Sequence, residues 1–163
     1  MAAMKVLRQI RQSFGTDQRG TATIELAVVL PVLLTIGLGV IEFGNMIYRY
    51  HLISTGVRDA ARYAAGFQQG AKDAEARNIA ARGVTTGGTN RVDWWIPSNV
   101  AIAYTTVANN DGFGNKLYRG GANIVMVTVS TSVPYQPLGF LGYLGVGTIN
   151  LSASHEERLF GVR

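Results

Sequence analysis

The feature that most constrains this chain is a long apolar run that directly follows a basic leader. From Leu26 to Ile41 the sequence contains no charged residue. Counted from Thr21, the run has about 21 residues, which as an α-helix would be roughly 31 Å long. Because this length is enough to cross a bilayer, the sequence predicts a transmembrane helix near the N-terminus, with its exported extension in residues 21–66.

Residues 1–20 form the basic leader, in which four basic residues face one acidic residue, a net of +3. By the positive-inside rule, we expect this leader to stay in the cytoplasm and the rest of the chain to be exported. A cleaved secretory signal has a shorter apolar core and a small-residue cleavage site soon after it. The long run followed by Glu42-Phe43-Gly44 therefore argues against ordinary signal-peptidase cleavage. The charged residues of the leader are Lys5, Arg8, Arg11, Asp17 and Arg19.

The junction between leader and run has the chemistry of a processing site. A peptidase needs an extended, unhindered backbone, and Gly20 has no side chain to obstruct it. Cleavage after Gly20 would free the amine of Thr21, and in a helix Glu25 would lie one turn further on the same face. A carboxylate in a bilayer costs about 2.5–3.5 kcal/mol. We therefore expect Glu25 to pair with the Thr21 amine of the same or a neighbouring subunit; the alternative is an interfacial charge favoured by the helix dipole.

Pro31 lies inside the apolar run, where it removes one backbone hydrogen bond and is predicted to bend the helix. Membrane helices tolerate such a residue when neighbouring groups restore the polar balance. The bend would either let the helix leave the bilayer and pack against other helices, or be a packing kink without a function. The sequence alone leaves both interpretations open.

The order and spacing of these residues resemble a known family. Gly20, Glu25 and Pro31 are followed by Glu42-Phe43-Gly44 at the end of the run and by the cluster Ala60-Ala61-Arg62-Tyr63-Ala64-Ala65. This pattern resembles the TadE-like pseudopilins of the bacterial tight-adherence (Flp) pilus, a branch of the type IV pilus systems. Major pilins of these systems are shorter and usually have tyrosine where this chain has Leu26. The resemblance therefore implies a minor, pseudopilin-type subunit.

From the resemblance we expect a precursor that a prepilin peptidase cleaves after Gly20 and that then acts in pilus assembly. It implies a single-pass protein of the bacterial inner membrane, with a cytoplasmic N-terminus, a periplasmic C-terminal domain and association with the pilus after processing. The expected partners are the membrane, the peptidase, other pilus or pseudopilin subunits and the secretion machinery. Glu42, Arg62 and Tyr63 are candidate subunit contacts, although Arg62 and Tyr63 also fit ordinary packing and solvent-facing charge.

An alternative is an uncleaved, signal-anchored membrane protein whose exported domain binds a ligand or a partner. In that case the spacing from Gly20 to Glu25 would be incidental. The mature N-terminus distinguishes the two hypotheses, because only the pseudopilin would begin at Thr21.

Charge and composition argue against other classes of function. The pI is about 9.8, but removal of residues 1–20 would leave 11 basic against 9 acidic residues, so the basic balance indicates topology and no nucleic-acid partner is expected. The chain has no cysteine. His51 and His155 are in no metal motif, and the turn at 109–115 lacks the ligand spacing of an EF-hand. We therefore expect no metal, no cofactor, no small-molecule substrate and no enzymatic activity.

The remaining sequence predicts a small exported α+β domain in residues 67–163. The long helix continues to Ala65 with a face of small alanines, and a second helix over Ala71–Arg82 ends at Gly83. Alternating apolar residues predict strands over 99–107, 123–135 and 148–155. Three or four antiparallel strands resting on the end of the long helix would bury these faces, in a pilin-like outline.

Two apolar features leave their location open. The segment 137–146 is unusually apolar for a connection between strands. It would fold under the domain, lie at the membrane interface, or dock on a partner pseudopilin. Trp94-Trp95 would form either a core pair or an interfacial anchor.

Overall fold

A computed structural model describes residues 19–160 of the chain. It begins with one long helix, α1 (Arg19–Ala65), of 47 residues. The described residues divide into two compact units, the first ending at Ile41 and the second beginning at Glu42. Lys5, Arg8, Arg11 and Asp17, on which the predicted cytoplasmic location of the leader depends, lie outside the described residues.

The first unit is the apolar part of α1. Its large apolar side chains, from Ile24 to Ile41, are exposed. By length and composition the helix is able to cross a membrane, which is consistent with single-pass anchoring. Thr35 Oγ1 donates a 2.7 Å hydrogen bond to the carbonyl of Pro31. Threonine bonds of this kind often bend helices, and the bend expected at Pro31 itself stays a prediction.

The second unit contains the rest of α1 and a second helix, α2 (Asp73–Arg82). The predicted small-residue face of α1 is buried, and α2 buries alanines of its own. The helix α2 ends as predicted at Gly83, which has φ of 78° and donates its N–H to the carbonyl of Ile79. A positive φ of this size favours glycine. The buried small residues are Ala60, Ala61, Ala64 and Ala65 on α1, and Ala76, Ala80 and Ala81 on α2.

A three-stranded antiparallel sheet completes the second unit. Its strands, β1 (Val100–Ala108), β2 (Asn123–Pro134) and β3 (Asn150–Arg158), are ordered β1-β2-β3. The register pairs Ile102 with Val129 and Val133 with Leu151. Val127, Val129 and Val133 of the central strand are buried, as the alternation in the sequence predicted. The predicted α+β fold class, with a long apolar helix, a second helix and an antiparallel sheet, is confirmed.

Close packing of α1 against its neighbours depends on Gly56. A Cβ atom built on Gly56 would lie 2.3 Å from the carbonyl oxygen of Ala80 and 2.8 Å from the Trp95 ring. Trp95 is fully buried, and its Nε1 donates a 3.1 Å hydrogen bond to Thr131 Oγ1 on β2. Trp95 therefore belongs to the core, and Trp94 packs partly buried against it.

Some local details differ from the sequence prediction. The strand β3 runs to Arg158, three residues beyond the predicted end at residue 155, so Glu156 and Glu157 lie inside it. Charged residues are tolerated there because β3 is an edge strand with an exposed face. Two short elements were not predicted, a 3₁₀ turn at Pro97–Asn99 and the single helical turn α3 (Phe140–Tyr143). Residues 109–115 form a connection with bends, in which the Asp111 N–H donates a 3.1 Å hydrogen bond to the carbonyl of Asn115.

Candidate functional site

The predicted processing residues lie in the first turns of α1. Gly20, Thr21 and Glu25 are exposed. A Cβ atom built on Gly20 would meet nothing within 4 Å, so packing in this structure does not require glycine at this position. Glycine in a helix is also less favourable than alanine by about 0.5–1 kcal/mol. Thr21 and Glu25 are four residues apart in α1 and therefore share one helix face.

A buried carboxylate marks the start of the second unit. Glu42 is only 1% exposed. Its Oε1 accepts a 2.8 Å hydrogen bond from the Tyr135 hydroxyl and a 3.0 Å bond from the backbone N–H of Leu138. Both donors lie in the irregular segment that directly follows β2, so one carboxylate oxygen holds the start of the connection after β2 to α1.

The hydroxyl of Tyr135 links Glu42 to two further residues of α1. Asn45 Nδ2 donates a 2.7 Å bond to the tyrosine oxygen, and Arg49 Nε donates a 3.5 Å bond to Asn45 Oδ1. Positions 42, 45 and 49 lie on one face of a helix. The hydrogen bonds run in one direction, toward the carboxylate. Arg49 donates to Asn45, Asn45 donates to Tyr135, and Tyr135 donates to Glu42. We call these four residues the Glu42 cluster.

The electrostatics of the Glu42 cluster are governed by burial. Removal of Tyr135 from water raises the pKa of its hydroxyl, and the hydrogen bond to Glu42 raises this pKa further. The second carboxylate oxygen, Glu42 Oε2, is buried and has no hydrogen-bond partner among residues 19–160. Such a buried carboxylate costs free energy unless hydrogen bonds compensate it. The cost of burying the Glu42 carboxylate is therefore offset by the two hydrogen bonds that Oε1 accepts, from Tyr135 and Leu138.

The sequence singled out Glu42 but not its partners. Tyr135 is 93 residues away, and no spacing in the sequence indicates that the two side chains meet. Glu42 was predicted as a subunit contact, and in the structure its carboxylate contacts groups of its own chain. A role between subunits stays a prediction.

Arg62 and Tyr63 lie near the end of α1 and also contact their own chain. Arg62 Nε is 3.7 Å from Glu157 Oε1 on β3, and the Arg62 side chain is exposed. Exposed pairs of this kind contribute about 0–1 kcal/mol. The Tyr63 ring packs against Phe67 with 4.9 Å between centroids and lies against the core. These contacts leave the predicted subunit role of both residues untested.

The rest of the described chain offers little to bind a metal. Among residues 19–160 no group of His, Asp or Glu side chains is arranged to hold a metal ion. His155 Nε2 lies 3.0 Å from Glu157 Oε1 on the same face of β3. A cavity of about 250 Å³ lies beside the connection between β2 and β3, and its lining is mostly apolar, including Tyr135, Leu141 and Ile149.

Comparisons with known proteins identify the N-terminal part of the chain. A family model described as TadE-like protein matches residues 20–62. Neither the search of curated proteins nor the search of solved structures found a match. The TadE-like family is associated with pili and is generally not enzymatic. The family resemblance drawn from the sequence is therefore confirmed: residues 20–62 match the TadE-like family, which indicates a protein related to the tight-adherence pilus.

Proposed function

We propose that this chain is a minor pilin or pseudopilin that acts in assembly of a tight-adherence pilus after a prepilin peptidase cleaves it behind Gly20. The observation that carries this proposal is the family match itself. The matched segment, residues 20–62, contains the glycine at which we expect cleavage together with Thr21 and Glu25. The resemblance to TadE-like pseudopilins, whose basic leader ends in glycine, supports the same processing here.

The proposed role of the mature N-terminus is to set the register of subunits. Cleavage would place the Thr21 amine one helical turn from Glu25, on an exposed face. In a membrane the carboxylate requires a cationic partner, because an isolated charge there is costly. The amine of the same or a neighbouring subunit provides one. The proposal therefore makes the protein an assembly component of the bacterial inner membrane with a periplasmic domain, and not an enzyme.

The first test is the mature N-terminus. Full-length protein is produced with and without the cognate prepilin peptidase, extracted from membranes, and analysed by intact mass and N-terminal sequencing. We expect a start at Thr21 only when the peptidase is present. The Gly20→Ala variant should keep its leader, because a side chain then stands at the cleaved bond. Gly15→Ala, at the other glycine of the leader, is the matched control and should be cleaved normally.

Retention of the leader in every sample would contradict the proposal. The uncleaved, signal-anchored binding protein would then be the better account of the chain. Cleavage at another position would keep a processed precursor but remove the assigned role of Gly20.

Glu25 is tested separately from cleavage. Glu25→Gln removes the charge and keeps the shape, so we expect normal processing to Thr21 but loss of pilus assembly or of cross-linking to other pilus subunits. Thr23→Ser, a mild change in the same helical turn, serves as the control. Normal assembly by Glu25→Gln would show that the proposed pairing with the amine is unnecessary.

A further inference from the structure

An apolar segment with several exposed side chains lies between β2 and β3. Leu138, Tyr143, Leu144 and Val146 are large apolar side chains that remain exposed, with Tyr143 85% and Leu138 64% exposed. Folded domains seldom leave neighbouring apolar side chains in water unless they meet a membrane or another molecule. We call residues 138–146 the apolar segment.

The apolar segment is attached to the residue that follows the membrane-spanning run. The N–H of Leu138 donates a 3.0 Å hydrogen bond to the carboxylate of Glu42. Tyr135, three residues earlier, donates to the same oxygen at 2.8 Å. Glu42 is covalently next to Ile41, the last residue of the uncharged run. The first residue of the segment, Leu138, is therefore hydrogen-bonded to Glu42, the first charged residue after the apolar run.

The length of the run puts this point at the surface of a bilayer. Residues 21–41 of α1 form roughly 31 Å of helix, and the hydrocarbon core of a bilayer is about 30 Å thick. The polar layer on each side adds roughly 5–7 Å. Glu42, and with it Leu138 at the start of the segment, therefore lies close to the edge of the hydrocarbon core when the run spans the membrane.

The composition of the surrounding chain suits the polar layer and the acyl boundary. From Gly120 to Ser154 the sequence contains no Asp, Glu, Lys or Arg, so no charge has to be removed from water. Tyrosine is enriched at this depth because its ring is apolar and its hydroxyl is polar. Apolar residues with an exposed aromatic ring are typical of segments that lie in the interface plane.

We infer that the apolar segment inserts into the interface of the bilayer that α1 spans, and so forms a second membrane contact of the domain. The inference rests on the membrane anchoring in the proposed function. The occupant of the exposed surface is lipid, because the attachment to Glu42 holds the segment at the membrane surface before any partner protein arrives. The contact would also restrict rotation of the domain about α1.

The test uses single-cysteine variants of the full chain, which has no cysteine of its own. Tyr143→Cys, Phe113→Cys and Leu34→Cys are each labelled with an environment-sensitive fluorophore and reconstituted at one copy per lipid nanodisc. Phe113 is the matched control: it is 92% exposed, apolar, and located in the connection at the opposite end of β2. Leu34 lies in the apolar run and reports whether α1 spans the bilayer.

We expect the label at position 143 to be quenched severalfold more by nitroxide lipids than by aqueous iodide, and the label at 113 to show the reverse. Position 34 should respond to lipid quenchers alone. An additional Leu144→Asp change should shift the label at 143 toward iodide. Near-ultraviolet circular dichroism of the two tryptophans checks that each variant is folded.

Quenching of positions 143 and 113 alike by iodide, with position 34 in lipid, would overturn the inference and leave membrane anchoring intact. Protection of position 143 only after other pilus proteins are added would also overturn it and would indicate a protein partner. Accessibility of position 34 to iodide would contradict the anchoring itself.

Discussion

Single residues decide how the sheet is held to the long helix. Glu42 is the most unusual of them, because it is a carboxylate buried at the start of a domain whose buried residues are mostly apolar. It accepts two hydrogen bonds from the connection after β2. These two hydrogen bonds fix the position of the connection after β2 more specifically than apolar contacts alone would.

Loss of the Glu42 carboxylate should destabilise the domain. Glu42→Ala leaves the Tyr135 hydroxyl and the Leu138 N–H without their shared acceptor, and we expect a loss of about 1–3 kcal/mol in the free energy of unfolding. Urea unfolding of the full chain in detergent, followed by tryptophan circular dichroism, measures this. Glu156→Ala, at an exposed carboxylate on β3, is the control, with a change within about 0.5 kcal/mol. Equal effects of the two changes would contradict the assigned role.

Gly56 should be intolerant of any side chain. The added Cβ of Gly56→Ala would lie 2.3 Å from a backbone oxygen of α2 and 2.8 Å from the Trp95 ring. Since backbone cannot rotate away as a side chain does, we expect a loss of about 1–3 kcal/mol or more from overpacking.

Gly44→Ala is the matched control for Gly56→Ala, because it is also in α1 and an added Cβ there meets nothing within 4 Å. Alanine is the better helix former by about 1 kcal/mol, so this variant should be neutral or more stable in the same unfolding measurement. A similar destabilisation at both positions would mean that α1 does not approach α2 as closely as described.

At the scale of elements, tyrosine hydroxyls connect strands to helices. Tyr104 on β1 donates a 2.6 Å hydrogen bond to Asp73, the first residue of α2. Tyr135, just beyond β2, does the same to Glu42 of α1. Burial raises the pKa of both hydroxyls, and the carboxylate beside each raises it further.

These pKa shifts predict a loss of stability at alkaline pH. A tyrosine whose pKa is higher in the folded state holds its proton more tightly there than in the unfolded chain, where the pKa is about 10. Its stabilising contribution is therefore complete below pH 10 and decreases as the pH rises further. Melting temperatures from pH 8 upward should fall above about pH 10. Tyr104→Phe and Tyr135→Phe should each flatten that fall; an unchanged slope in both would contradict the shifts.

Periodicity in the sequence was sufficient to predict most elements. The long helix, α2 with its end at Gly83, and all three strands follow from apolar spacing and a glycine cap, because each depends on residues close in the chain. The extent of β3 was wrong, since charged residues on an exposed edge break the apolar alternation. The Glu42 cluster and the Gly56 contact were missed because they join residues distant in sequence, and nothing local indicates which side chains will meet.

At the scale of the whole molecule, the positive charge is concentrated ahead of the apolar run. The chain carries a formal net charge of +5, and most of that excess belongs to the leader. A protein that depended on basic charge for binding would carry the excess on its folded domain instead. The distribution of charge therefore supports the prediction that the leader sets topology.

Orientation in the membrane should depend on these leader charges. Substitution of Lys5, Arg8, Arg11 and Arg19 by glutamine should lower the fraction of chains with an exported domain, because basic residues near a span keep their side in the cytoplasm. A C-terminal phosphatase fusion measures export. The double variant Lys116→Gln/Arg119→Gln, far from the span in sequence, should leave export unchanged. Full export without the leader charges would leave this topology intact and would contradict the role given to the charges in setting it.

The order of the strands has a consequence for when this domain can form. Each strand pairs with the one made just before it, so the sheet grows in the order of synthesis. The last described residues complete it: the Leu159 N–H bonds to Val125, and the Phe160 N–H bonds to the carbonyl of Ala65, both at 2.9 Å. A nascent chain therefore has its membrane helix long before its domain can close, and a product truncated before residue 159 would stay open and exposed to proteases.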